Sequence, residues 1–298
     1  MSKTLKYLLF TFISAYLLQI LACHNIQLGT KAGSATGSHL VALCMLMPTV
    51  GAMIAGEKIR FLGWDPDFSD NKKLILLAWL LPTANQLLGA ALYFMVFPGE
   101  FDMSGTFLKE TDPIAFELLE KSGESYNAYV IRQIFLSFTS PRIVIAALLG
   151  LGEEIGWRGF LFPRLKLHFG RTRGLLIGGI IHGAWHFPLM LLIGYEYGTD
   201  YIGAPVLGLF AFCIFTTATG IVSDFLYEKS QCILLPALFH GTINSAFNAY
   251  LLSDCMHPER SVFGPIDIGL IAVIPMLLFA VNILYRENKR ESMEFIQL

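Results

Sequence analysis

Eight stretches of the chain stay apolar for about the thickness of a membrane. They run approximately over 5–23, 40–56, 74–97, 143–163, 175–193, 202–223, 232–252 and 266–285. A hydrocarbon core roughly 30 Å thick takes about 20 helical residues to cross. Lipid offers the backbone no hydrogen-bond partners, so each stretch must satisfy its own N–H and C=O groups as a helix. The pattern predicts an all-α fold: a multi-pass transmembrane helical bundle of about eight spans. Composition agrees, because only 15% of the residues are charged, against about 25% in soluble domains. A net charge of −2 gives no reason to expect a nucleic-acid partner.

Orientation follows from the basic residues, which favour the cytoplasmic side. With the N-terminus inside, Lys3, Lys6, Lys58, Arg60, Lys72, Lys73, Arg164, Lys166, Arg171, Arg173, Lys229, Arg286, Lys289 and Arg290 share that side. An even number of spans then puts both termini in the cytoplasm. Lys3 and Lys6 ahead of an apolar run resemble a signal peptide, but no clear cleavage site follows, so a first transmembrane helix is expected. The five cysteines, Cys23, Cys44, Cys213, Cys232 and Cys255, form no CxxC pair. They read as small apolar core residues. The C-terminus carries no lipidation cysteine. The longest connection, 98–142, is acidic in its first part and falls on the outer side. Its stretch Tyr126–Thr139 mixes aromatics with Arg132 and Gln133, as an interfacial helix would. No repeat or linker divides the chain, so 1–298 reads as one membrane domain.

Ionisable groups at mid-bilayer cost roughly 2.5 kcal/mol or more, which makes each a functional candidate. The fourth stretch places Glu153 and Glu154 near its centre. Arg158 is four residues after Glu154, on the same helix face, and the two can pair. Glu153 points about 100° away and is left without that partner, free for chemistry. Gly150, Gly152, Gly156 and Gly159 leave room for neighbouring helices. The fifth stretch carries His182 and His186 one turn apart, with a kink expected at Pro188. The seventh carries His240, Asn244 and Asn248 at i, i+4 and i+8. Three helices thus bring a carboxylate, imidazoles and an amide to one depth, the parts needed to activate water and to stabilise an oxyanion. Gln19, Asn85 and Gln86 read as helix–helix contacts, and Asp267 as a residue near a span end.

At these residues the sequence resembles the CPBP family of intramembrane proteases, which includes the CAAX prenyl endopeptidases of the Ras-converting type and bacterial Abi proteins. The family's Glu-Glu-x-x-x-Arg motif stands as Glu153-Glu154-Ile155-Gly156-Trp157-Arg158. Its Phe-x-x-x-His motif reads His182-Gly183-Ala184-Trp185-His186, and its His-x-x-x-Asn motif reads His240-Gly241-Thr242-Ile243-Asn244. The resemblance covers about 143–250. His182 departs from it, standing where the family usually has Phe. What the resemblance implies is water activated by Glu153 and His186. His240 and Asn244 would donate to the oxyanion, and Glu154 and Arg158 would position. His182, as the departure, and Asn248, by its spacing, are further candidates to line the cavity. The cavity would open toward the cytoplasm.

The implied function is an intramembrane endopeptidase acting near the C-terminus or leader of a membrane-associated or lipidated peptide. It needs no cofactor, and its partners are that peptide and membrane lipids. Two histidines and a glutamate also suit zinc, so a metalloprotease is an alternative. A catalytically silent scaffold, a bacteriocin-immunity protein or a proton-coupled transporter are further alternatives, since buried Glu, Arg and His also mark proton paths. Modest loops suggest a prokaryotic plasma membrane.

Overall fold

The computed structural model describes residues 2–254 and 256–296, with side chains to residue 293. Cys255 and the last two residues lie outside the described residues. The chain folds as an α-helical bundle without a strand among the described residues. Phe101 and Ser253 make one isolated antiparallel bridge.

Helix α1 (Lys3–Gln27) is followed by α2 (Lys31–Cys44) and α3 (Met47–Ile54), then by the long α4 (Lys72–Val96). The acidic connection forms α5 (Thr106–Thr111), α6 (Pro113–Ser122) and α7 (Tyr126–Thr139). Next come α8 (Arg142–Gly156), a π-helical turn at Trp157–Leu161, α9 (Phe162–Phe169), α10 (Arg171–Ala184) and α11 (Phe187–Ile193). The bundle closes with α12 (Val206–Ser230), α13 (Leu234–Asn244) and α14 (Ile274–Ile296). Five helical segments are long and apolar enough to cross a membrane, and six if α7 and the α8–α9 rod, bent by 50°, count as one.

Helix α1 shows how the sequence distinguishes lipid from protein. Tyr7, Thr11, Ala15, Gln19 and Ala22 are buried. Leu5, Leu9, Ile13, Leu17 and Leu21 are exposed. A water-soluble helix would do the reverse. Here the aliphatic stripe suits lipid, and the small and polar stripe packs on neighbouring helices. The protein is integral to a membrane.

Two apolar stretches fold differently from the expected spans. Over 232–252 only Leu234–Asn244 is helical. The chain then turns, and the Asn248 side chain caps a 3-10 turn by accepting from the Tyr250 N–H at 3.1 Å. Asn favours such local caps over helix interiors. In the stretch 266–285, helix begins only at Ile274. Before it the backbone folds back, with Leu270 N donating to Val262 O at 2.9 Å. Ile268 and Val273 fill a core with Tyr197 and Phe212. Their apolarity serves protein packing.

Helix α8 sits between α3 and α13. Gly156 allows this on one side, since a Cβ there would meet the Pro48 carbonyl carbon at 2.5 Å. Gly150 allows it on the other, since a Cβ would meet the His240 ring at 2.9 Å.

Candidate active site

Helices α10 and α11 break at Trp185-His186, just before Pro188. Pro188 has no N–H to give the carbonyl four residues earlier. That carbonyl, on Ala184, instead accepts the Tyr16 hydroxyl at 2.8 Å. The Trp185 carbonyl accepts Gln19 Nε2 at 2.8 Å. Gln19 therefore caps a broken helix. The break turns His186 toward His182, with ring centroids 5.5 Å apart. His186 Nδ1 is 3.2 Å from the His182 carbonyl oxygen. A carbonyl only accepts, so Nδ1 donates, and in the neutral ring Nε2 keeps its lone pair.

Glu153 and Glu154 are 2% and 1% exposed. Glu153 is not free of partners, as its helix position alone suggested. Its Oε2 lies 3.2 Å from Trp157 Nε1 and 3.1 Å from His182 Nε2. Both contacts come from residues outside the expected pairing: Trp157 one turn on, and His182 across from α10. The second oxygen, Oε1, stands 4.0 Å from His240 Nε2. Glu154 Oε1 takes Arg158 at 3.1 Å and His240 Nδ1 at 2.8 Å. Its Oε2 takes Ser223 Oγ at 3.2 Å. The Glu154–Arg158 pair is thus present as expected, while Ser223 and Trp157 had no signal in the sequence beyond their place in apolar stretches.

One cavity of about 540 Å³ is lined by Glu153, Glu154, Arg158, His182, His186, His240, Asn244 and Asn248. Every candidate site residue named from the sequence therefore lines one space. Asn248 arrives there from the turn after α13, off the helical stripe that its spacing predicted. The cavity continues past His186 to Tyr195, Glu196, Tyr250 and Asp267. These stand at the bundle end where α11 and α13 finish. Lys72, Arg164, Arg171 and Lys229 mark the opposite end, and none of the described residues of its connections lines the cavity. The basic residues at that end are the ones expected on the cytoplasmic side, so the lining lies toward the other end from the opening that the resemblance implies.

Two features of this space bear on chemistry. Ligand atoms of Glu153, His182 and His186 lie within 4.8 Å of one another, a donor set that zinc accepts by type. In the loop after α11, Glu196 holds a left-handed backbone, φ 75°, and burial pushes its carboxyl above the usual range.

Comparison with known proteins falls on this region. Residues 135–246 match the family model described as type II CAAX prenyl endopeptidase Rce1-like. A CAAX prenyl protease 2 of Methanococcus maripaludis is 27% identical over 105 residues, 35% of this chain. The match spans 38% of that relative's length. The matched segment contains Glu153, Glu154, Arg158, His182, His186, His240 and Asn244 together, and over that segment the chain is similar to the Rce1-like type II CAAX prenyl endopeptidases.

Proposed function

We propose that the protein is an intramembrane endopeptidase of the CAAX type. It would hydrolyse a peptide bond near the C-terminus or leader of a membrane-associated or lipidated peptide, in a prokaryotic plasma membrane. The observation that carries this reading is the meeting of Glu153, His182, His186, His240 and Asn244 in one cavity. Glu153 serves as general base. Trp157 and His182 occupy its Oε2 and leave Oε1 for a water. That water also donates to His186 Nε2, which directs its lone pair at the peptide carbonyl. Glu153 takes the proton as the C–O bond forms, then returns it to the leaving nitrogen as the C–N bond breaks. Asn244 donates to the oxyanion, and His240 does so from Nε2 when its ring carries both protons. Glu154, fixed by Arg158 and Ser223, holds His240 through Nδ1.

The donor set Glu153, His182 and His186 supports a second reading, in which zinc would be held there and act as a Lewis acid. The His182 environment weighs against it. His182 Nδ1 is buried without a partner among the described residues, so the ring proton belongs on Nε2, donated to Glu153. A ligating Nε2 would leave Nδ1–H unpaired, whereas metal-bound histidines donate their other N–H. The reading is therefore metal-independent.

Cleavage of membrane-anchored peptides, followed by peptide proteomics of cells carrying wild type or Glu153→Gln, tests the proposal. The substitution lowers turnover about 10²–10⁴-fold, with folded protein retained. Cleavage that survives Glu153→Gln refutes the mechanism, and an effect on cells that survives it favours a scaffold or transporter. Loss of activity in a strong chelator restores the zinc reading.

A further inference from the structure

We propose that Glu196 and Asp267 form a subsite for a cationic group of the peptide, a lysine or arginine side chain or a free amino terminus, at the far end of the catalytic cavity. That the cation belongs to a peptide substrate rests on the peptidase reading; the binding of a cation does not.

The buried carboxylates among the described residues follow a rule with one exception. Glu100 is paired with Arg260, Glu154 with Arg158, Asp224 with Lys166 and Glu287 with Lys229, and Glu153 has the His182 ring at 3.1 Å. Asp267, 7% exposed, has no cation or histidine within salt-bridge distance among the described residues. Buried charges are ordinarily paired. Asp267 Oδ2 accepts Asn85 Nδ2, at 3.4 Å. Its Oδ1 has no hydrogen-bond partner among the described residues, and the side chain lines the cavity. Glu196 lines the same end, with the Tyr195 hydroxyl as its hydrogen-bond partner.

The surrounding structure holds Asp267 in place. Its backbone N–H donates to Gln86 Oε1 at 3.0 Å, and Gln86 Nε2 donates to the Pro265 carbonyl at 3.0 Å. Two adjacent residues of α4, Asn85 and Gln86, thus fix the 265–267 turn and aim a carboxylate at the cavity. Two acids facing one space and lacking a cation leave room for a cation that the protein does not supply. An ammonium or guanidinium donates several hydrogen bonds and accepts none, which matches two carboxylates. The cavity runs without interruption from there to Glu153, so a peptide anchored by its cation reaches the reactive end with an adjoining segment.

The test uses the full chain in lipid nanodiscs carrying Glu153→Gln, so that bound peptide is not cut. Short fluorescent peptides differ at one position only, as lysine, its uncharged analogue norleucine, or glutamate, and that position is moved along the peptide. At one register the lysine peptide binds about tenfold or more tighter than the norleucine peptide, as charge-assisted hydrogen bonds require, and the glutamate peptide binds weakest. Adding Glu196→Gln or Asp267→Asn collapses the lysine preference. Equal binding of lysine and norleucine peptides at every register, no binding of any lysine peptide, or a preference that survives both substitutions overturns the subsite. Should Asp267→Asn fail to fold, Glu196→Gln in its loop decides alone. The peptidase reading fails separately, through cleavage that persists in Glu153→Gln.

Discussion

Replacing Glu154 by leucine exposes what the ion pair does. Arg158 is 2% exposed. Its Nε has no acceptor among the described residues, and its guanidinium lies 4.7 Å from the centre of the Phe162 ring. Glu154, at 3.1 Å, is the carboxylate that pairs with it. Glu154→Leu therefore strands a buried cation, which costs about 3–5 kcal/mol. The variant also removes the acceptor of His240 Nδ1 and Ser223 Oγ, at about 1 kcal/mol each. Adding Arg158→Met removes the stranded charge, and apolar replacement of a buried pair is often neutral. The double variant should then lie only about 2 kcal/mol below wild type, the residue of the two lost hydrogen bonds. Equilibrium unfolding in mixed micelles, read by tryptophan fluorescence and arranged as a double-mutant cycle, measures this. A coupling energy near zero, with the double variant as unstable as the sum of the singles, refutes the argument.

Other perturbations report on the same frame. Tyr16→Phe leaves the Ala184 carbonyl unpaired and costs about 1–3 kcal/mol; in a Pro188→Ala background, where a backbone N–H returns, the cost falls, and unfolding midpoints of the four proteins check it. Gly150→Ala drives a Cβ into the His240 ring, 2.9 Å away, and costs about 1–3 kcal/mol of overpacking; a thermal-unfolding midpoint like wild type's, with unchanged turnover, contradicts the tight contact. His182→Phe removes one of the two donors on Glu153 Oε2 and lowers kcat about tenfold, the worth of one charge-assisted hydrogen bond. His182→Gln, which keeps a donor nitrogen, recovers part of it, and equal kcat in the two variants discounts the contact.

What the sequence disclosed and what it hid divide along one line. Position on a single helix is a local property, so Glu154–Arg158 at i, i+4 and the helix Tyr126–Thr139 were legible from spacing. Hydropathy measures transfer from water, and it answers alike to lipid and to a protein core. That is why 266–273 reads as the start of a span although it packs on Tyr197 and Phe212. Partners across helices are not local. His182 was visible as a departure from the family's usual Phe, yet that it lands on Glu153 depends on how α10 crosses α8. Asp267 was set aside as a span-end residue because only the fold-back after α13 carries it to the cavity. The two ends of the cavity therefore differ in how they are specified. The reactive end is written in motifs on straight helices, which fix depth. The Glu196–Asp267 end is written in breaks: the Gly194 cap with its left-handed φ of 63°, the turn after Asn244, and the 265–267 turn tied down by α4. Backbone at membrane depth leaves the helix only where protein or a cavity satisfies it. In this chain, the departures from regular helix thus mark where a ligand is received, as the buried charges mark where it reacts.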